Sequence, residues 1–221
     1  MIDKGLLKLL GKDKKYIYLT VLFMLLGLLG NIMITFYTFS WKVGTRSFVE
    51  VKANNSIDYK FIRPYLYTIS KDRLPSDVSF SVVKGKRWTD IILLYEAATH
   101  KFFSQRLIDI LEQFIDLRNK CYPIDIAGAP FKYYTIYNLE ELPYYIDPTC
   151  TKVVNKRRYF EMIKDYPHLF TVKDSNLRIC TQEVKQAIEK AKLTNIEFDE
   201  IYGVTKDECD ALGLQLREKE M

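Results

Sequence analysis

Phe102-Phe-Ser-Gln-Arg-Leu-Ile-Asp-Ile-Leu111 and Ile179-Cys-Thr-Gln-Glu-Val-Lys-Gln-Ala-Ile188 decide the reading of the chain. Set 77 residues apart, they align Ser104 with Thr181, Leu107 with Val184, Ile110 with Ala187 and Leu111 with Ile188. Ser and Thr are good N-cap residues, because the hydroxyl accepts a free N–H of the first helical turn. Val184, Ala187, Ile188 and Ala191 stand at i, i+3, i+4 and i+7, which is one face of a helix. Each helix is followed by a strand-like piece: Tyr122, Ile124 and Asp125, then Ile196, Phe198 and Asp199. The offset there is 74, so the second connection is expected to be three residues shorter. The expected fold is α+β, two pseudo-repeated strand–helix–strand units. A solenoid is excluded, since it needs three or more repeats.

Around these units the elements are short. Phe61 to Ile69 reads as a strand, with Pro64 placing it at an edge or a start. Lys71 to Ser76 reads as a turn, Trp88 to Leu94 as a strand or short helix, and Tyr133 to Leu139 as β-prone. Residues 42–60 hold Gly44, Asn54, Asn55 and Ser56 and read as a linker. The expected organisation is a leader over 1–41, the linker over 42–60 and one α+β domain over 61–221.

From Tyr16 to Trp41 no residue is charged. As a helix, such a run exceeds the ~30 Å of a hydrocarbon core. Tyr16, Tyr18, Tyr37 and Trp41 place aromatic rings at its two ends, where the headgroups lie. A single transmembrane helix from Tyr16 to Trp41 is therefore expected ahead of the domain. The run is longer than a signal-peptide core and no A-x-A-like site follows it, so it reads as an uncleaved anchor. Lys4, Lys8 and Lys12 among Leu6, Leu7, Leu9 and Leu10 suggest an interfacial helix before it. Five Lys precede the run and four basic residues follow it, a small lean towards the N-terminus inside. Met33 lies within the run, and a start there would leave a cytoplasmic domain without a leader.

The chain has 221 residues, of which 48% are hydrophobic and 28% charged, enough for a packed core. Five of the 33 Lys+Arg and two of the 28 Asp+Glu precede residue 42, so the remainder carries only +2. Nucleic-acid binding is not expected from that balance. Two basic clusters, Lys84, Lys86 and Arg87, and Lys152, Lys156, Arg157 and Arg158, read by default as solvated loops, with a phosphate or acidic-partner site as the alternative.

No catalytic constellation is legible. His100 and His168 stand apart, without the H-x-x-x-H spacing that places two imidazoles on one helical face. Cys121, Cys150, Cys180 and Cys209 form no C-x-x-C, which argues against zinc and redox sites. Cys180, beside an apolar position, is expected to be buried as a small hydrophobe. There is no P-loop and no G-x-S-x-G. The expectation is no catalytic residue, no metal and no cofactor.

Two resemblances stand beside these readings. Lys101-Phe-Phe-Ser-Gln-Arg-Leu-Ile-Asp-Ile-Leu, Tyr122-Pro-Ile, Tyr133-Tyr-Thr-Ile-Tyr-Asn, Leu169-Phe-Thr-Val, Leu177-Arg-Ile-Cys-Thr-Gln-Glu-Val-Lys-Gln-Ala-Ile and Leu193-Thr-Asn-Ile-Glu-Phe-Asp follow one another between Phe61 and Tyr202. In that order they resemble an immunity-protein family of bacterial polymorphic toxin systems, formerly a domain of unknown function. The resemblance implies a small α+β protein that binds a cognate protein toxin and neutralises it without catalysis. Residues 1 to about 35, with Lys4-Gly-Leu-Leu-Lys-Leu-Leu and Lys14-Lys-Tyr-Ile-Tyr-Leu-Thr, resemble the start of an ABC exporter membrane subunit. That likeness implies an alternative role, an accessory subunit of a membrane transporter.

On the first reading, affinity rests on a few aromatic anchors. Trp88, Tyr137, Tyr144 and Tyr145, on the least regular stretches, are the candidates for the toxin interface. The expected partners are the toxin and, through the N-terminal helix, the membrane. Four Cys without framework spacing suit a reducing compartment, so the domain is expected on the cytoplasmic side.

Overall fold

The computed structural model describes residues 34–41, 47–54, 57–146, 158–161, 166–173, 175–211 and 213–216. Its first element is a strand, β1 (Ile34–Ser40), followed by β2 (Glu50–Ala53), a one-turn helix α1 (Tyr59–Ile62) running into a 3-10 turn, and β3 (Ser79–Lys84). β4 (Ile91–Leu94), β5 (Ala97–Ser104), helix α2 (Gln105–Leu111), β6 (Cys121–Ile126) and β7 (Tyr133–Ile136) complete the first half. The second half holds β8 (Glu141–Leu142), β9 (Tyr144–Ile146), β10 (Arg158–Glu161), β11 (Leu169–Val172), β12 (Ile179–Cys180) and helix α3 (Gln182–Lys190). It ends with β13 (Glu197–Val204), α4 (Lys206–Ala211) and β14 (Gln215–Leu216).

In the first half, β2-β3-β6-β7-β5-β4 close into a six-stranded barrel. β2 is antiparallel to β3 and parallel to β4, and β3 is parallel to β6. Alternation along β5 sends Phe102 inwards, against Phe80, and Phe103 outwards. α2 covers that outer face with Leu107, Ile108 and Leu111, and Ser104 caps it by accepting the Leu107 N–H at 3.3 Å.

The second half repeats this design. β8 pairs with β11 and β9 with β10, and only Pro143, which has no N–H for a ladder, separates β8 from β9. These strands form an eight-stranded sheet, β14-β9-β10-β13-β1-β12-β11-β8, and because one residue joins β8 to β9 its far strand comes back to β9, a second, barrel-like ring with β14 outside it. Its registers copy the first. Glu50 faces Leu93 as Glu141 faces Thr171, and Ala53 faces Phe80 as Tyr144 faces Phe160. Phe80 neighbours Ile126 as Phe160 neighbours Gly203, and Phe103 faces Tyr134 as Cys180 faces Tyr37. The last pair shows that β1, from the other end of the chain, stands where β7 stands in the first barrel.

These findings correct several expectations. The fold is β-rich, with helices of four to nine residues, and not two strand–helix–strand units behind a membrane helix. One such unit cannot cover both apolar faces of β5, and four further strands close round it. The offset of 77 persists through β6 and β13, so the second connection is not shorter. Phe61 to Leu66 is helical, because Asp58 accepts the Lys60 N–H at 2.9 Å and Pro64 opens the 3-10 turn. The stretch read as a linker contains β2.

The transmembrane helix is also overturned. Its last residues form β1, where Phe36 and Phe39 are both 1% exposed inside the sheet. Among the described residues no helix is long and apolar enough to cross a membrane. Ile34, Thr35, Phe36, Tyr37, Thr38 and Phe39 are β-branched or aromatic, types that suit a pleated surface buried on both sides. Their lack of charge serves protein burial and not lipid. With the span falls the expected localisation, a single-pass anchor with the domain on the cytoplasmic side. Trp41 packs beside the core with the Lys101 ammonium 4.9 Å above its ring, and Tyr16 lies outside the described residues.

Candidate interaction surface

β3 outruns its neighbour. Its pairing with β6 ends at Ser79 and Phe80, where the Ala127 N–H donates to the Phe80 carbonyl and the chain turns away at Gly128. From Ser81 to Lys84 its only partner strand among the described residues is β2. Gly85 then reverses the chain with φ +76°, and a Cβ there would sit 1.9 Å from the Phe48 carbonyl oxygen. Only glycine meets both conditions. The Lys86 and Arg87 amides both donate to the Ser47 carbonyl at 3.0 Å, which fastens the turn to the strand before it.

The result is a recess of about 790 Å³ lined by Ser47, Val82, Val83, Lys84, Gly85, Lys86 and Arg87. Val82 and Val83 are each 38% exposed. Lys84 is held by Glu50 at 2.8 Å. Lys86 and Arg87 have no carboxylate within 4 Å among the described residues, and the Arg87 guanidinium lies 5.6 Å over the Phe48 ring. An open strand edge, two exposed valines and two uncommitted cations share one place.

A second recess, about 560 Å³, lies on α1 and the turn after it, lined by Lys60, Arg63, Pro64, Tyr67, Ile69 and Ser70. Phe61 stands exposed beside it, but its Arg63 donates to the Tyr67 hydroxyl at 2.5 Å and its backbone is helical, so it offers no strand edge.

The four expected anchors are not brought together. Trp88 follows Arg87 and turns inwards, half-buried, with its ring 5.8 Å from Tyr133. Tyr137 is 5% exposed, accepts from Arg73 Nε at 3.1 Å and packs edge-on against Tyr122. Tyr144 and Tyr145 lie on β9, paired with Phe160 and Tyr159 of the second barrel. Aromatic type and position on the least regular stretches singled them out. The signal for the recess was two consecutive valines running into Lys84-Gly-Lys-Arg87, since alternation can bury only one of two neighbours.

The remaining polar constellations fasten the fold. Asp90, 2% exposed, accepts from Ser104 Oγ at 2.7 Å and from the Thr194 N–H and Oγ1 at 2.7 and 2.9 Å. In the second barrel His168 takes its place, with Nδ1 3.0 Å from Thr181 Oγ1. Thr181 therefore stands at the N-cap of α3 without capping it through its side chain. Cys180 is fully buried, which pushes its thiol up out of the reactive range. Among the described residues no three His, Cys, Asp or Glu side chains could hold a metal ion.

His100 is buried within β5, with Nδ1 3.2 Å from the Leu66 carbonyl oxygen. Burial, and after it the charge of Arg178, holds it down from 6.5 to about 4. Between those values the unfolded chain binds a proton that the folded chain refuses, so stability falls as pH drops through this window. The expected loss is about 3 kcal/mol. Urea midpoints measured from pH 7 to 4 should show it, and H100Q should flatten that limb; an unchanged profile in the variant would contradict the assignment. No family model matches the chain, and no curated protein matches it either.

Proposed function

We propose that the protein binds a cognate bacterial toxin and neutralises it by occupation, without catalysis. The observation that carries this reading is the overhang of β3, where Val82 and Val83 lie along an edge with no partner strand among the described residues, beside Lys86 and Arg87. An extended segment can add to such an edge through main-chain hydrogen bonds, with side chains supplying specificity. The free cations select an acidic segment and steer its approach. The immunity-family resemblance between Phe61 and Tyr202 supports a toxin as the partner class.

Co-expression with the toxin encoded beside this gene should restore growth, and the two proteins should copurify. K86E/R87E is expected to weaken binding at least ~30-fold, the scale of an arginine hot spot, and to abolish rescue. Its thermal midpoint should stay within 2 °C or so of the parent, because surface changes rarely exceed ~0.5 kcal/mol. Full rescue by the folded variant would reject this surface. A neighbouring gene product that neither arrests growth nor binds would reject the toxin reading.

A further inference from the structure

The duplication brings two cations together inside the molecule. Lys101 on β5 and Arg178, just before β12, are 77 residues apart and hold equivalent places in the two barrels. Both are buried where the barrels meet, at 7% and 1% exposure. The flanking segments run side by side, with Asn176 Nδ2 donating to the Thr99 carbonyl and lying 3.2 Å from His100 Nδ1. Neither cation has a carboxylate within 4 Å among the described residues. Burial is the main reason that both hold their protons less tightly: Lys101, at about 7, is charged over the lower part of the neutral range, and Arg178, at about 9, throughout it.

The guanidinium of Arg178 lies 4.9 Å over the Phe103 ring, which compensates one face. A ring under the face cannot accept the N–H groups that point outwards in the plane. Nη1 reaches the Asn176 carbonyl at 3.5 Å, while Nε and Nη2 are buried without a partner. Those two nitrogens form one edge of the guanidinium, the fork that takes an anion through two parallel N–H bonds. Buried donors in folded proteins are almost always satisfied, so an orphaned fork points to what fills it.

We propose that the Nε–Nη2 edge of Arg178, with Lys101 as the second cation, is a buried binding site for a small inorganic anion of halide size. Its position in the seam makes the anion a clasp between the two barrels. The class follows from enclosure: Arg178 is 1% exposed, so a bulky organic acid or a peptide carboxylate has no path to the fork.

The test uses the full chain and two probes, bromide and chloride. Crystals grown in bromide should give an anomalous peak within ~3.5 Å of both Arg178 nitrogens, the reach of a hydrogen bond to a large anion. In solution, chloride compared with gluconate at equal ionic strength should raise the thermal midpoint in a saturable manner. At one hundred times the dissociation constant the folded-to-unfolded ratio rises about 100-fold. R178M should lose the peak and the chloride dependence together. If R178M does not fold, K101M should keep the peak and bind bromide at least ~10-fold more weakly, as loss of one charged partner implies. Equal midpoints in chloride and gluconate, a scatterer at Arg178 without anomalous signal, or chloride dependence retained in R178M would each overturn the proposal.

Discussion

Phe39→Ala is expected to destabilise the protein by about 3–5 kcal/mol, the range for removing a fully buried aromatic ring. Phe39 is 1% exposed and meets Phe103 edge-on at 6.0 Å. It belongs to the core cluster that joins the first barrel's Ile91, Phe103 and α2 to the second barrel's Leu169, Cys180 and α3. A hole there strips contacts from both barrels at once. Domains of this size are stable by only ~5–15 kcal/mol, so the variant should lie close to unfolding at 37 °C. The urea midpoint measures the loss, and F39L should recover most of it by refilling the volume. A loss below ~1 kcal/mol would mean that this stretch is not core strand.

Asp90→Ala should cost nearly as much, about 3–5 kcal/mol, through a different mechanism. The carboxylate is 2% exposed and is the acceptor for Ser104 Oγ, the Thr194 N–H and Thr194 Oγ1, with Arg106 3.6 Å away. Removing it leaves the buried Ser104 hydroxyl and the part-buried Thr194 donors without their acceptor, and an orphaned buried donor costs about 1–3 kcal/mol. D90N preserves shape and one acceptor oxygen and should lose less. A cycle with S104A separates the Ser104 bond from the rest, since coupled partners are non-additive. The expected fall in thermal midpoint for D90A is roughly 6–20 °C, at ~2–4 °C per kcal/mol for this chain length. An unchanged midpoint would show that Asp90 is solvated and not a joint.

Local signals were the legible part of the fold. Ser104, Thr181 and the apolar periods after them mark α2 and α3, because caps and helical faces are written within a few residues. The barrels were not legible, because their closure depends on pairings far apart in sequence. Thr38 donates to the Asp199 carbonyl across 161 residues. An uncharged, aromatic run suits lipid and a sheet interior equally, so hydropathy could not separate β1 from a span. At the surface, Lys84-Gly-Lys-Arg87 and the valines were visible as letters. That they frame a free edge depends on where β6 stops, which no local pattern states. Lys101 and Arg178 share the offset of 77, but their burial follows from how the copies pack.

The placement of β1 has a consequence for biosynthesis. The ribosome releases β1 before any other strand of the second barrel exists. The first barrel needs nothing beyond β7, ending at Ile136, and can close while the chain is still growing. The second cannot close until β13, ending at Val204, has emerged. Between the completion of β7 and the emergence of β13, β1 is therefore an unpaired, sticky strand tethered to a finished barrel. Long-range closure of this kind is slow and exposes edges to neighbouring chains on the same message. Nascent chains stalled near residue 140 should thus engage chaperones through their N-terminal segment, and a β1 captured by the second barrel of another copy would yield swapped, entangled oligomers.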